Sequence, residues 1–389
     1  MSVLHTVQLS GVGYRAQAIA VNPTTNTVYV ALTPISLPKL FITVIDGATN
    51  SAETNVTVGG KVYAMAANPV TNLVYLAEKF AYHCFIQVLN GSTDGIIANV
   101  SLGTSQGCAP TGIAVDPATD MVYVTNYDSS TTATSGFANT VSVIDGKTNA
   151  VVANITGIYS VYINPEEIAV NPITNMIYVV NHIGYGVISV INGTTDKVVA
   201  NVNSETTEGP VAVNPSTNRI YFTNYLLPGA GSTVYVIDGA SNKVVGNVSV
   251  GPSPFSLAVD PTTDVIYVIC LRYVTIAGGG IKPNGEAVVA VDGFRDTILT
   301  NLTIGEENPL VDLALNPTTN IVYLAGSLDE LSVVSGVSSS TPTSSATSSG
   351  NGGIPEFPVQ FGFALLVAVV IVASYVAARR TMLPQLRSA

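Results

Sequence analysis

The residues of this chain that could do chemistry are few and scattered. His5, His83 and His182 lie far apart, and none has a second His or Cys at the spacing of a metal site. Cys84, Cys108 and Cys270 make neither a disulfide framework nor a ligand cluster. Two readings of them stay open: one bridge, Cys84–Cys108, formed outside a cell, or buried free thiols. No G-x-S-x-G elbow and no P-loop occurs, and Gly278–Gly280 follows no helix start, so it reads as a loop tip. The paired acids Glu166-Glu167 and Glu306-Glu307 could hold Ca²⁺ together with backbone carbonyls, or stand as solvated pairs. This pattern predicts no catalytic residue, no cofactor and no metal centre. The net charge of −11, with 14 basic residues and no basic run longer than Arg379-Arg380, excludes a nucleic-acid partner, whose phosphates need clustered Lys and Arg.

The elements that would position any site are a repeat. Asx-Pro pairs recur at Asn22, Asn68, Asp116, Asn171, Asn214, Asp260 and Asn316, at intervals of 46, 48, 55, 43, 46 and 56 residues. Each opens a phrase such as NPTTNTVYV or DPATDMVYVTN, and a second phrase such as VSVIDGKTN follows; the seventh copy decays to LSVVSGVSS. The first Asx can accept from backbone N–H groups two or three residues on. Proline presets φ, and the last Asn or Asp tolerates a left-handed conformation. Asp-Gly and Asn-Gly in the second phrase favour another tight hairpin. Apolar strands flank both turns, so each unit holds four strands, A to D, which is a propeller blade.

The strand count closes the ring. LHTVQLSG (Leu4–Gly11) matches a D strand, and the last unit supplies A, B and C but no D. The predicted fold is therefore all-β, a seven-bladed β-propeller over residues 1–336 whose seventh blade is completed by the N-terminal strand. Tyr29, Tyr75, Tyr123, Tyr178, Tyr221, Tyr267 and Tyr323 hold one position in the seven B strands and are expected to pack between blades, their hydroxyls finding partners near the rim.

The phrases YVTN (Tyr123–Asn126), YVVN (Tyr178–Asn181) and YFTN (Tyr221–Asn224), with VIDG and NP-x-TN, resemble the YVTN family of β-propeller repeats. That family includes archaeal surface-layer proteins and bacterial secreted propellers. The resemblance implies the fold and leaves function open, because the motif residues are scaffold.

Alternating strands put the A–B and C–D turns on one face and the longer, varied B–C and D–A loops on the other. Tyr127–Asn139 and Leu271–Glu286 are predicted B–C loops, and GIYSVYINPEE and GEENP belong to D–A loops. Varied loops on a rigid scaffold are where binding residues belong. The loop-face candidates are Arg15, Tyr63, Glu78, Lys79, Tyr127, Glu166, Glu167, His182, Tyr225, Arg272, Tyr273 and Asp312.

After Gly336 the composition changes. Residues 337–358 read as a Ser/Thr/Gly-rich stalk ending in IPEFP. Residues 359–378 carry no charge and, at ~1.5 Å per residue, span the ~30 Å of a bilayer as a transmembrane helix. Arg379-Arg380 begins a basic tail, 379–389, that marks the cytoplasmic side. The order Pro-Glu-Phe, apolar helix, Arg pair resembles the PEF-type sorting signals of archaeal surface proteins, which a membrane transpeptidase processes; here Pro358 stands where the best-known form has Gly. The opening MSVLHTVQLSG lacks the basic start and apolar core of a signal peptide, so either translation starts further upstream or the anchor directs insertion.

Sequons at Asn55, Asn90, Asn99, Asn154, Asn192, Asn247 and Asn301 fit a glycoprotein outside the cell, five of them in D strands, although Asn-Val-Ser also serves as the strand's own consensus. The expected function is a membrane-anchored cell-surface or envelope module that binds a protein, a glycan or a second copy. The alternative is a secreted propeller enzyme of the lactonase, lyase or quinone-dependent dehydrogenase kind.

Overall fold

The computed structural model describes residues 1–337 apart from 10–12, 36–38, 129–138, 159–163, 183–185, 204–207, 225–230, 276–280 and 306–308. It is a seven-bladed β-propeller: seven four-stranded antiparallel sheets. The stalk beyond Val337, the predicted transmembrane helix and the basic tail lie outside the described residues. Among the described residues no helix is long and apolar enough to cross a membrane.

The turn chemistry is what the sequence implied. Every first Asx side chain accepts a hydrogen bond from the backbone N–H two residues on, as Thr24 N to Asn22 Oδ1 at 3.0 Å and Ala118 N to Asp116 Oδ1 at 2.8 Å. The closing Asx is left-handed in all seven A–B turns, from Asn175 at φ 52° to Asp120 at φ 61°.

The same side chains also latch neighbouring blades. Asn22 Nδ2 donates to Asn72 Oδ1 at 2.7 Å and Asn68 Nδ2 to Asp120 Oδ1 at 2.8 Å; across the seam, Asn316 Nδ2 donates to Asn26 Oδ1 at 2.6 Å.

The seam is closed as expected. The N-terminal strand Val3–Gln8 pairs antiparallel with Glu330–Ser335, the C strand of blade 7, with Val7 opposite Leu331. The chain leaves blade 7 on the turn face, where Gly336 N donates to Asn320 O at 2.8 Å and Val337 N to Tyr267 Oη at 2.7 Å.

Packing lies between blades. All seven B-strand tyrosines are buried, each no more than 1% exposed. The Tyr75 hydroxyl of blade 2 lies against Gly146 in the C–D turn of blade 3, where an added Cβ would stand 2.5 Å from Asp120 Oδ1 and 2.7 Å from that hydroxyl. The glycine of the Asp-Gly phrase is thus required for close approach and does not sit at positive φ; the left-handed residue of the C–D turn comes later, at Asn149 with φ 52°. The expected hydroxyl partners exist for Tyr267 and for Tyr221, which donates to Gly293 O at 3.4 Å. The hydroxyls of Tyr29, Tyr75, Tyr123, Tyr178 and Tyr323 are buried without one.

Three loop boundaries differ from expectation. Most of Leu271–Glu286 is a paired extension of blade 6, with Tyr273 opposite Pro283 and Thr275 opposite Ile281, because its β-branched and aromatic residues continue the ladder. Glu166 and Glu167 lie inside the A strand Asn164–Asn171, and Tyr127 is the last residue but one of the B strand Met121–Asp128.

Candidate functional site

The inner strands wall the central channel. They are Tyr14–Asn22, Lys61–Asn68, Cys108–Asp116, Asn164–Asn171, Glu208–Asn214, Pro254–Asp260 and Leu310–Asn316, the A strands of blades 1 to 7. Each carries one extra residue relative to its B strand, always at the same level. The bulges fall at Gln17, Tyr63, Thr111, Glu166-Glu167, Gly209-Pro210, Phe255 and Val311. A β-bulge breaks the alternation of side chains and re-aims one of them. Here seven bulges at one height turn a ring of side chains into the channel, around a cavity of about 240 Å³.

Going round, Gln17, Tyr63, Thr111 and Glu167 form a polar arc from blades 1 to 4. Pro210, Phe255 and Val311 form an apolar arc from blades 5 to 7. The close approach at the bulges is built by the repeat. Thr125 Oγ1 accepts from Gly112 N at 2.7 Å and donates to Glu166 O at 2.9 Å, and Thr223 Oγ1 donates to Pro254 O at 2.9 Å. The threonine of the YVTN phrase therefore ties its own blade to the bulge of the next. A Cβ on Gly112 would collide with the Glu166 carbonyl, so only glycine fits there.

Two carboxylates share the cavity in different states. Asp312 is a clasp. Its Oδ2 accepts from Ile19 N of blade 1 at 3.3 Å, and its Oδ1 accepts from Ser256 Oγ of blade 6 at 2.9 Å and from Leu313 N at 2.8 Å. Enclosure by protein raises its pKa to about 6 against the pull of these donors. Glu167 has no hydrogen-bond or ion-pair partner among the described residues and touches solvent in the channel, although protein surrounds it on all sides. That enclosure, then the charges of Asp312 and Glu166, pushes its pKa up to about 7. Among the described residues no group of three or more His, Cys, Asp or Glu could hold a metal ion.

The structure brings Tyr63, Glu167 and Asp312 together in the cavity and puts Glu166 beside it. The other candidates lie elsewhere. Arg15 is exposed, Lys79 Nζ donates to Gln106 O at 3.2 Å, and Arg272 Nη1 donates to Thr303 Oγ1 at 3.3 Å on the rim of blade 6. Tyr127 is half-buried at the end of its strand. Glu78 is fully buried, accepting from Gly60 N at 2.6 Å, and burial pushes its pKa to about 8. His182 and Tyr273 lie in strands, but their side chains are outside the described residues, as are Tyr225 and Glu306-Glu307 altogether. Sequence reasoning missed Gln17, Phe255, Ser256 and Val311, because strands were read there as regular, and did not single out Thr111 and Pro210, which it read as parts of the D–A loops TSQGCAPTG and SETTEGP.

Cys84 and Cys108 form a disulfide, and Cys270 is a buried free thiol. The bridge fastens the C strand of blade 2 to the A strand of blade 3 at the loop face.

The fold is shared with a known enzyme. The structure resembles hydrazine synthase from Kuenenia stuttgartiensis, with a TM-score of 0.64 over 84% of this chain and 97% of that one, at 16% identity. At that identity the likeness shows the propeller alone. No protein-family profile matches the chain, and no curated protein does.

Proposed function

We propose that the chain is a membrane-anchored, extracellular binding module of the YVTN surface-propeller type. Its loop-face channel receives a projecting group of a protein or glycan partner. The observation that carries this reading is the ring of bulges: seven inner strands with one repeated backbone present different groups around an open cavity. Glu167, the one acid there without a hydrogen bond among the described residues, selects a cationic or hydrogen-bond-donating group. The apolar arc of Pro210, Phe255 and Val311 holds the stem of that group.

Location outside the cell is supported by several features. Disulfides persist in oxidising compartments. Asn55, Asn99, Asn154, Asn247 and Asn301 are exposed on outer strands. The chain leaves the propeller on the turn face, opposite its loop face.

The test is capture from intact cell envelopes with wild type, Glu167→Gln and Phe255→Ala, at about pH 5.5 and about pH 8. Since Glu167 is charged mainly above about pH 7, the partner should be held more strongly at the higher pH by wild type and lose that dependence in Glu167→Gln. A partner list indifferent to both substitutions and to pH removes the channel from the interaction.

A further inference from the structure

On the outer half of blade 2 lies a shallow, mainly apolar cavity of about 410 Å³. Its walls include Phe80, His83, Phe85, Gln87, Asn99 and Ser101. Asn99 and Ser101 are the first and last residues of the sequon Asn99-Val100-Ser101. Strand pairing sets Gln87 opposite Asn99 and Phe85 opposite Ser101. Gln87 Nε2 donates to Asn99 Oδ1 at 2.8 Å, while Gln87 Oε1 accepts from Gly59 N at 3.0 Å. The carbonyl end of the Asn99 amide is thus held against the sheet, and the residue lines the cavity. Phe80, 62% exposed at the hairpin tip, stands over the same space.

We propose that this cavity seats the first sugar of an N-linked glycan carried by Asn99, a proposal that rests on the extracellular reading above. In the transfer, Asn99 Nδ2 bonds to the anomeric carbon of a glycan activated on a lipid phosphate or pyrophosphate. The phosphate leaves with the bonding electron pair, and the amide gives up one proton. One face of a pyranose is a sheet of C–H bonds that packs on the rings of Phe85 and Phe80, as amphipathic surfaces do, while its hydroxyls remain in water near His83.

The Asn55 and Asn154 amides are held in the same way, their Oδ1 atoms accepting from Thr43 Oγ1 at 2.8 Å and Ser142 Oγ at 2.7 Å. But the other sequons lack the open aromatic wall: Ser142 itself stands across from Asn154, and Val289 and Ala287 stand across from Asn301 and Thr303. Across from Thr57, the last residue of the Asn55 sequon, Phe41 is buried and packs on Tyr14 at 4.7 Å. Across from Asn247, Tyr235 stacks on Phe222 at 5.1 Å. Asn90 and Asn192 are half-buried, and their side-chain oxygens accept from Ser92 N and Thr194 N within C–D turns.

Two measurements decide it. Glycopeptide mass spectrometry of the full chain from its own cell envelope should find Asn99 occupied. A chain bare at every sequon overturns the extracellular glycoprotein reading and this proposal together. Occupancy elsewhere with Asn99 bare overturns the proposal alone.

The second measurement uses the full chain secreted from an N-glycosylating host as wild type, Ser101→Ala and Phe85→Ala, melted before and after enzymatic removal of N-glycans. Removal should lower the wild-type melting temperature by about 2 °C more than that of Ser101→Ala, which lacks the Asn99 glycan. Phe85→Ala, still glycosylated, should lose that difference. Equal shifts in wild type and Ser101→Ala, or an undiminished shift in Phe85→Ala, show a glycan that merely projects into water and overturn the cradle.

Discussion

At the turn end of the ring the seven blades present the same groups: an Asx-Pro turn closed by a left-handed Asn or Asp, and a buried tyrosine set against the next blade's turn. At the bulge level, where the backbone repeats just as faithfully, they present glutamine, tyrosine, threonine, a glutamate pair, glycine-proline, phenylalanine and valine. Repetition is what a closed ring demands of its joints, since every blade must fit the same neighbour. Nothing about closure demands seven different residues around a cavity, so the bulge ring is where recognition is free to be written. The turn ring should therefore be costly to change for stability and indifferent for binding, and the bulge ring the reverse.

The largest effect belongs to the turn ring. Tyr178→Ala empties a site between two blades and should cost about 3–5 kcal/mol in denaturant unfolding. A cost below ~1 kcal/mol would mean that the blades are not locked by these rings.

The pH dependence of stability comes next, through Glu78, whose pKa rises to about 8 from 4.5. Below about pH 4.5 the carboxyl is neutral in both folded and unfolded chains. Between there and about pH 8 the folded chain keeps a proton that the unfolded chain has lost, so stability falls as pH rises through this window. The denaturant midpoint of wild type should decline across it, and that of Glu78→Gln should decline less; equal slopes would remove Glu78 as the cause.

Smaller still is Gly146→Ala, which pushes a methyl group into the Asp120 carboxylate and the Tyr75 hydroxyl and should cost about 1–3 kcal/mol. Within the tyrosine ring, Tyr267→Phe loses the bond to Val337 N, worth about 1 kcal/mol, whereas Tyr178→Phe removes a hydroxyl with no partner and should be neutral or slightly stabilising.

The smallest stability effects fall on the bulge ring. Gln17→Ala should move stability by less than ~0.5 kcal/mol, because the Gln17 amide bonds only to the neighbouring Ala16 carbonyl. Glu167→Gln should cost nothing at low pH and stabilise the fold above about pH 7, where it removes a charge that the channel disfavours. A large loss of stability at either would return the bulge ring to the scaffold.

The YVTN phrase divides its labour within this scheme. Tyrosine reaches the next blade's turn and threonine the next blade's bulge, as Thr125 does. Asparagine stitches strand B to strand C: Asn126 Nδ2 donates to Ser142 Oγ at 2.9 Å, which donates in turn to Asn154 Oδ1 at 2.7 Å. Glu78 and Cys270 stand at that asparagine position in blades 2 and 6, which is why an acid and a thiol are buried there.

What the sequence determined by itself was everything carried by local repetition. Asx, Pro and Gly act within a few residues of their own position, so seven copies of one phrase announce seven blades, the turn face and the closing role of the first strand. Only the tertiary structure decided which residues meet. Gln17, Thr111, Phe255 and Val311 come from four blades and became neighbours because each inner strand carries one extra residue. A bulge is a mismatch between two strands, so it is defined by pairing and not by either strand's own composition. The same reason separates Asp312 from Glu167. Both are acids at the loop face by sequence, yet one spends its oxygens clasping blades 6, 7 and 1 while the other stands open to the channel.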